Sequence, residues 1–230
     1  MRFDVLTLFP ELINSHLDFS IMKRATDEGV FEVNAVNPRD FTLDKHKKVD
    51  DTPYGGGAGM VLMPQPYIDA YNSVEKLENS ITLMMTPQGD PFTDQISNEL
   101  ANYNQIIILC GHYEGFDERI RTIIKPREIS IGDFVLTGGE LPALCVIDSV
   151  SRKIEGTLGK IESAHDDSFS DGLLEYPQYT KPREYMGLKV PDVLLNGNHK
   201  LINEFRMEQK IQRTKTKRPD LYEKWLKENK

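Results

Sequence analysis

Three polar residues, His112, Tyr113 and Glu114, stand between Gly111 and Gly115, directly after the apolar run Gln105–Cys110. A second short apolar run, Glu128–Ile131, leads to Gly132, Asp133, Gly138, Gly139 and Glu140. Each run suits a buried strand, and each ends in a glycine-bearing loop. In open α/β sheets, ligands sit where loops leave the carboxyl ends of strands. Glycines there let a ligand approach backbone N–H and C=O groups closely, so the second loop could wrap an adenosine-like group. Gly138-Gly139 equally serves to turn the chain into the next helix, and the two uses are compatible.

Other chemistries find little support. Gly55–Gly59 lacks the Gly-Lys-Ser/Thr of a phosphate-cradling loop and the spacing of a dinucleotide fingerprint. No Ser-His-Asp arrangement is legible. The histidines His16, His46, His112, His165 and His199 are scattered without metal-ligand spacing. Cys110 and Cys145 lie among aliphatic residues and read as buried thiols, which fits a reducing cytoplasm.

The elements that must position these loops follow from the pattern. Strands are expected at Arg2–Leu8, Val30–Val36, Ile81–Met85, Gln105–Cys110 and Glu128–Ile131. Helices are expected at Glu11–Glu28, Pro64–Leu77, Thr93–Asn102, Asp117–Ile124 and Glu140–Lys153. Leu141, Leu144, Ile147 and Val150 recur at helical spacing, and Pro142 sits in the first turn of that helix. Strands alternating with helices predict an α/β fold with a mainly parallel sheet. After Ile154 the texture changes. Glu155–Gly172 is polar and reads as an exposed linker, and Pro191–Lys230 reads as helices with basic faces.

The 230 residues carry a net charge of −8, distributed unevenly. From Lys200 onward there are ten Lys/Arg against five Asp/Glu, so an acidic body precedes a basic tail. That layout is compatible with a phosphate-bearing partner held at the tail, but charge alone favours a solvated helical surface. No apolar stretch approaches membrane-spanning length, and the start lacks the layout of a signal peptide.

The motifs FDVLTLFPE, VDDTPYGGGAGM, GHYEGFDERI, SIGDFVLTGGELPA, DSFSDGLLEYPQYTKP and VPDVLLNGNH run the length of the chain. Together they resemble the bacterial tRNA (guanine-N1)-methyltransferases of the SPOUT class of S-adenosylmethionine-dependent RNA methyltransferases. Ala58, Glu155, Gln178 and Lys181 depart from the residues common in that family.

The resemblance implies a trefoil knot near the carboxyl end of the catalytic domain, and a homodimer with its active sites at the subunit interface. It implies a catalytic domain over 1–157, a linker over 158–171 and a helical tRNA-binding domain over 172–230. It places S-adenosyl-L-methionine against Met85, Thr86, Pro87, Gly111, Glu114, Ser130, Ile131, Gly132, Asp133, Phe134, Val135, Leu136, Gly138, Gly139 and Pro142. Magnesium is a further expectation, with Glu114 ordering either the methionine end or the ion. The implied target is N1 of the guanosine just 3′ of the anticodon, with Asp167 as general base and Arg152 stabilising charge on O6. His165 is a rival base, and Asp166 is a neighbour able to tune Asp167. Neither Asp167 nor Arg152 stands out on physical grounds alone. Lys200, Arg206, Arg213, Lys215, Lys217 and Arg218 are candidate phosphate contacts. Two alternatives are a SPOUT enzyme acting on ribosomal RNA and a non-enzymatic RNA-binding regulator.

Overall fold

The computed structural model describes residues 1–158 and 167–229. His165 and Asp166 therefore lie outside the described residues. The chain divides into two compact units, Met1–Gly159 and Lys160–Lys230.

The first unit is built on a parallel sheet. Its strands are β1 (Arg2–Leu6), β2 (Glu32–Val36), β5 (Ser80–Pro91), β6 (Gln105–Cys110) and β7 (Arg127–Ser130), in the order β2-β1-β6-β5-β7. Every neighbouring pair is parallel. β6 is central, and all six of its residues are buried. Its side chains alternate between two cores, as a pleated strand requires. Ile106, Ile108 and Cys110 join Phe3, Val5, Leu83 and Ile129 on one face. Ile107 and Leu109 join Leu6, Met84 and Tyr67 on the other. Burying each such aliphatic side chain contributes about 1.5–3 kcal/mol.

Helices α1 (Pro10–Leu17), α2 (Ser20–Asp27), α4 (Asp94–Leu100) and α6 (Glu140–Ser151) contribute to the first core. Helices α3 (Pro64–Ser73) and α5 (Glu118–Ile124) contribute to the second. The single helix expected over Glu11–Glu28 is two helices. Phe19 is extended and Ser20 has φ 53°. The break has a geometric reason. Ile13 and Met22 both pack in the first core, yet nine residues apart they would face opposite sides of a continuous 3.6-residue helix. Breaking the helix lets both point inward.

Two further differences bear on the site. β5 runs past its expected end at Met85. It pairs with β6 as far as Met85, shifts register, and pairs again with β7 at Asp90 and Pro91. Between β2 and α3 lies a short antiparallel pair, β3 (Asp50–Asp51) and β4 (Val61–Leu62), so the glycine-rich segment is the tip of a hairpin.

In the second unit, residues 167–173 form turns and bends, and 174–176 continue without regular structure. They precede a two-stranded hairpin, β8 (Glu184–Tyr185) and β9 (Leu188–Lys189). Met186 and Gly187 both have positive φ, as the tight turn of a two-residue hairpin loop demands. Helix α7 (His199–Lys217) is capped by the Asn198 side chain, which accepts from Leu201 N. Pro219 opens helix α8 (Pro219–Glu228). Among the described residues no helix is long and apolar enough to cross a membrane.

Candidate active site

Three chain segments leave the carboxyl ends of neighbouring parallel strands and meet. Thr86 follows the β6-paired part of β5, Gly111 follows β6, and the 131–139 loop follows β7. The loops are stitched by backbone. Gly139 N donates to Gly111 O at 2.8 Å, and His112 bridges Gly138 in antiparallel fashion. A Cβ on Gly139 would lie 2.7 Å from Cys110 Cα and 2.8 Å from Gly111 N. Because those atoms are backbone, only glycine allows this approach. Ser130 Oγ braces the start of the loop, accepting from Gly132 N at 3.2 Å and donating to Gly132 O at 3.1 Å.

The result is a cavity of about 350 Å³, within the size range of small-molecule sites. Of the residues expected to meet the methyl donor, Met85, Thr86, Pro87, Gly111, Glu114, Ser130, Ile131, Gly132, Phe134, Val135, Leu136, Gly138, Gly139 and Pro142 line it. Asp133 does not. Thr137, within the expected 130–139 run, also lines the cavity, as do Gln88, Phe116, Arg121 and Ile129, which no sequence signal marks. Arg121 is drawn in by ion pairs with Glu118 and Glu128 at 2.8 and 3.1 Å. Nothing in the local sequence marks it, because its place depends on where α5 starts.

Two features stiffen the walls. Tyr113 has φ 58°, a left-handed conformation that is costly for a bulky residue and concentrates at functional sites. The β3–β4 hairpin is fastened to the same loop: Glu114 N donates to Met60 O at 3.0 Å, and Leu62 N to Gly115 O at 2.9 Å. A Cβ on Gly59 would fall 2.4 Å from Glu114 Oε1, so the hairpin tip rests against the Glu114 carboxylate.

Beneath the cavity sits a buried carboxylate. Glu140 is 4% exposed, and its Oε1 accepts from Thr7 Oγ1 at 2.7 Å. A position in the first turn of α6 suits its negative charge. Burial, and then the Glu140 charge, push the Cys110 thiol well above its usual range. Burial first, and then Cys110 and Glu140, do the same to the Tyr67 phenol, which donates to Cys110 O at 3.0 Å. Neither group is a poised nucleophile at neutral pH. The site therefore offers shape, backbone donors and acceptors, and an apolar wall, which suits binding and in-line transfer better than covalent catalysis.

Arg152 follows the last turn of α6, its N–H donating to Asp148 O at 3.2 Å, and it is half-buried. Asp167 belongs to the second unit and is also half-buried; its carbonyl accepts from Ser170 N and Oγ. The candidate phosphate contacts divide. Lys200, Lys215, Lys217 and Arg218 are exposed. Arg206 instead covers the Tyr176 ring at 4.6 Å, and Arg213 reaches Glu175 O at 3.4 Å.

A family model described as tRNA (Guanine-1)-methyltransferase TrmD matches residues 1–224. The chain is similar to tRNA (guanine-N(1)-)-methyltransferases from Staphylococcus aureus strains JH9, Newman and N315. It is 55% identical to each over 225 residues, covering 98% of this chain and 92% of the relative. A glycine-walled cavity at the ends of parallel strands thus occurs in a chain matched almost end to end, and the chain belongs to the tRNA (Guanine-1)-methyltransferase family.

Proposed function

We propose that this protein transfers a methyl group from S-adenosyl-L-methionine to N1 of the tRNA guanosine immediately 3′ of the anticodon. The observation that carries the reading is the cavity itself. It is lined by Gly111, Gly132, Gly138 and Gly139 and by the apolar Leu136 and Pro142 at the carboxyl ends of parallel strands, a lining that suits a flat purine and a short polar chain. The adenine lies against backbone of the 131–136 loop, with Leu136 and Pro142 as apolar wall.

The donor supplies a methyl group on a positively charged sulfonium. Neutral guanine carries a proton on N1, so a base must remove it. Asp167 takes that proton, and Arg152 faces O6, where negative charge develops as N1 loses its proton. A guanidinium stabilises that charge most in a water-poor site. A carboxylate is a weak base, so proton removal accompanies methyl transfer. Holding N1 in line with the sulfonium supplies most of the remaining acceleration. The guanine leaves the anticodon stack to reach the cavity.

Further parts of the reading go with this one. The chain forms a trefoil knot near the carboxyl end of the catalytic domain. Two copies form a homodimer, and the exposed apolar residues Phe134, Val135, Leu136 and Leu141 supply a face for it. The basic second unit binds the tRNA, and the enzyme works in the cytoplasm. The donor set for magnesium is sparse: among the described residues no group of three or more His, Cys, Asp or Glu stands together. Glu114 is the carboxylate that would contribute, completed by substrate and water oxygens.

Labelled S-adenosylmethionine and two tRNA transcripts test the proposal, one with guanosine 3′ of the anticodon and one with adenosine there. Label is expected in the first alone. Label in neither refutes the enzyme, and equal label in both refutes the target position.

A further inference from the structure

Helix α7 turns a polar face toward the segment that begins at Asp167. Arg206, Lys210, Arg213 and Thr214 fall on one side of the helix, at i, i+4, i+7 and i+8. Each grips a different residue of one short stretch. Arg206 covers the Tyr176 ring at 4.6 Å. Lys210 Nζ pairs with Asp171. Arg213 donates to Glu175 O at 3.4 Å, and Thr214 Oγ1 accepts from Leu174 N at 2.8 Å. The stretch is also closed on itself. Phe169 N donates to Leu173 O at 2.7 Å, Glu175 N to Ser168 Oγ at 3.0 Å, and Ser170 N and Oγ both donate to Asp167 O.

Lys210 is the unusual member. Its side chain is 7% exposed, although it belongs to a residue type almost never buried. Burying an ammonium is expensive, and an apolar pair of similar volume usually stabilises a fold as well or better. The pair is buried at its lysine end only, the Asp171 side chain being 39% exposed, and it is therefore weak support for stability and stronger support for a fixed geometry. Apolar faces tolerate sliding, whereas an ion pair and two backbone hydrogen bonds on consecutive residues fix one register.

We propose that the Lys210–Asp171 pair is a positioning device for methyl transfer: through the 167–171 turn it fixes where Asp167 stands when the guanine arrives. Lys210 and Asp171 are positioning residues that touch no reacting atom. Arg206 and Arg213 belong to the same device rather than to the phosphate-binding surface. This rests on the proposed role of Asp167 as base.

Single-turnover methyl transfer at saturating donor and tRNA reads the effect. Lys210→Met is expected to slow the step about 10- to 100-fold, the scale of a small misplacement. Affinities for tRNA and donor, and the salt dependence of tRNA binding, stay within twofold. Lys210→Arg restores most of the rate. Replacing both partners, Lys210→Met with Asp171→Leu, keeps the melting temperature but not the rate, which separates positioning from stability. If Lys210→Met does not fold, Asp171→Asn carries the same readouts. An unchanged rate in these variants, or weakened tRNA binding with an unchanged saturated rate, overturns the device. A parent protein without guanine methylation overturns the functional reading, and the device with it.

Discussion

The cavity at the strand ends and the segment that begins at Asp167 solve the same problem, holding a few atoms still, by opposite means. The cavity is made of backbone. Gly139 presses on Cys110 and Gly111, Ser130 closes on Gly132, and the loops leave parallel strands whose register is set by a buried sheet. Residues 167–176 have no regular element under them and are held by side chains of one helix, Lys210 and Thr214 foremost. Backbone walls fail when a side chain is added. A side-chain grip fails when one is removed or shortened.

The sharpest way to break the comparison is at its chemical end. Asp167→Ala is expected to lower the single-turnover rate by about 10²–10⁴-fold, the usual contribution of a general base, while donor affinity by calorimetry stays within twofold. A rate within a few-fold of the parent would move the base elsewhere. Gly139→Ala should show the reverse, weakening donor affinity about 100-fold. It should also destabilise the fold by about 1–3 kcal/mol in denaturant titration, the usual cost of overpacking. Unchanged affinity would mean that the approach of the two loops is dispensable. The smallest effect distinguishes the two sides of α7. Lys200→Ala with Lys215→Ala removes two exposed charges and should reduce the slope of log affinity against log salt by about 2, with the saturated rate intact. An unchanged slope would take both lysines out of the tRNA interface.

The same contrast explains what could be read from the chain. β6 was legible because a strand buried on both faces must be apolar throughout, and Gln105–Cys110 is nearly so. The two loops were legible because glycines cluster where backbone must come close. The break between α1 and α2 was hidden, since each half has a respectable helical pattern and only the shared core shows their conflict of phase. Two-residue strands such as β3 and β4 carry no periodicity to detect. Composition records the charge of Arg206 and Arg213 but not the side of the helix they occupy, so their contacts with Tyr176 and Glu175 were not legible. Arg152 and Asp167 were reached through resemblance alone. A single arginine at a helix end and an aspartate in a turn look like any others, because no local pattern marks them.

The two cysteines divide the oxidative exposure of the protein unequally. Cys110 lies sealed beneath the junction of the two loops, its ionisation suppressed by burial, whereas Cys145, expected as a buried thiol, is exposed because its aliphatic neighbours in sequence do not share its side of α6. Oxidants and alkylating agents consequently meet Cys145 first and reach Cys110 only in chains whose sheet has come apart. A modified Cys110 is therefore a chemical record of unfolding, written into the central strand of the sheet.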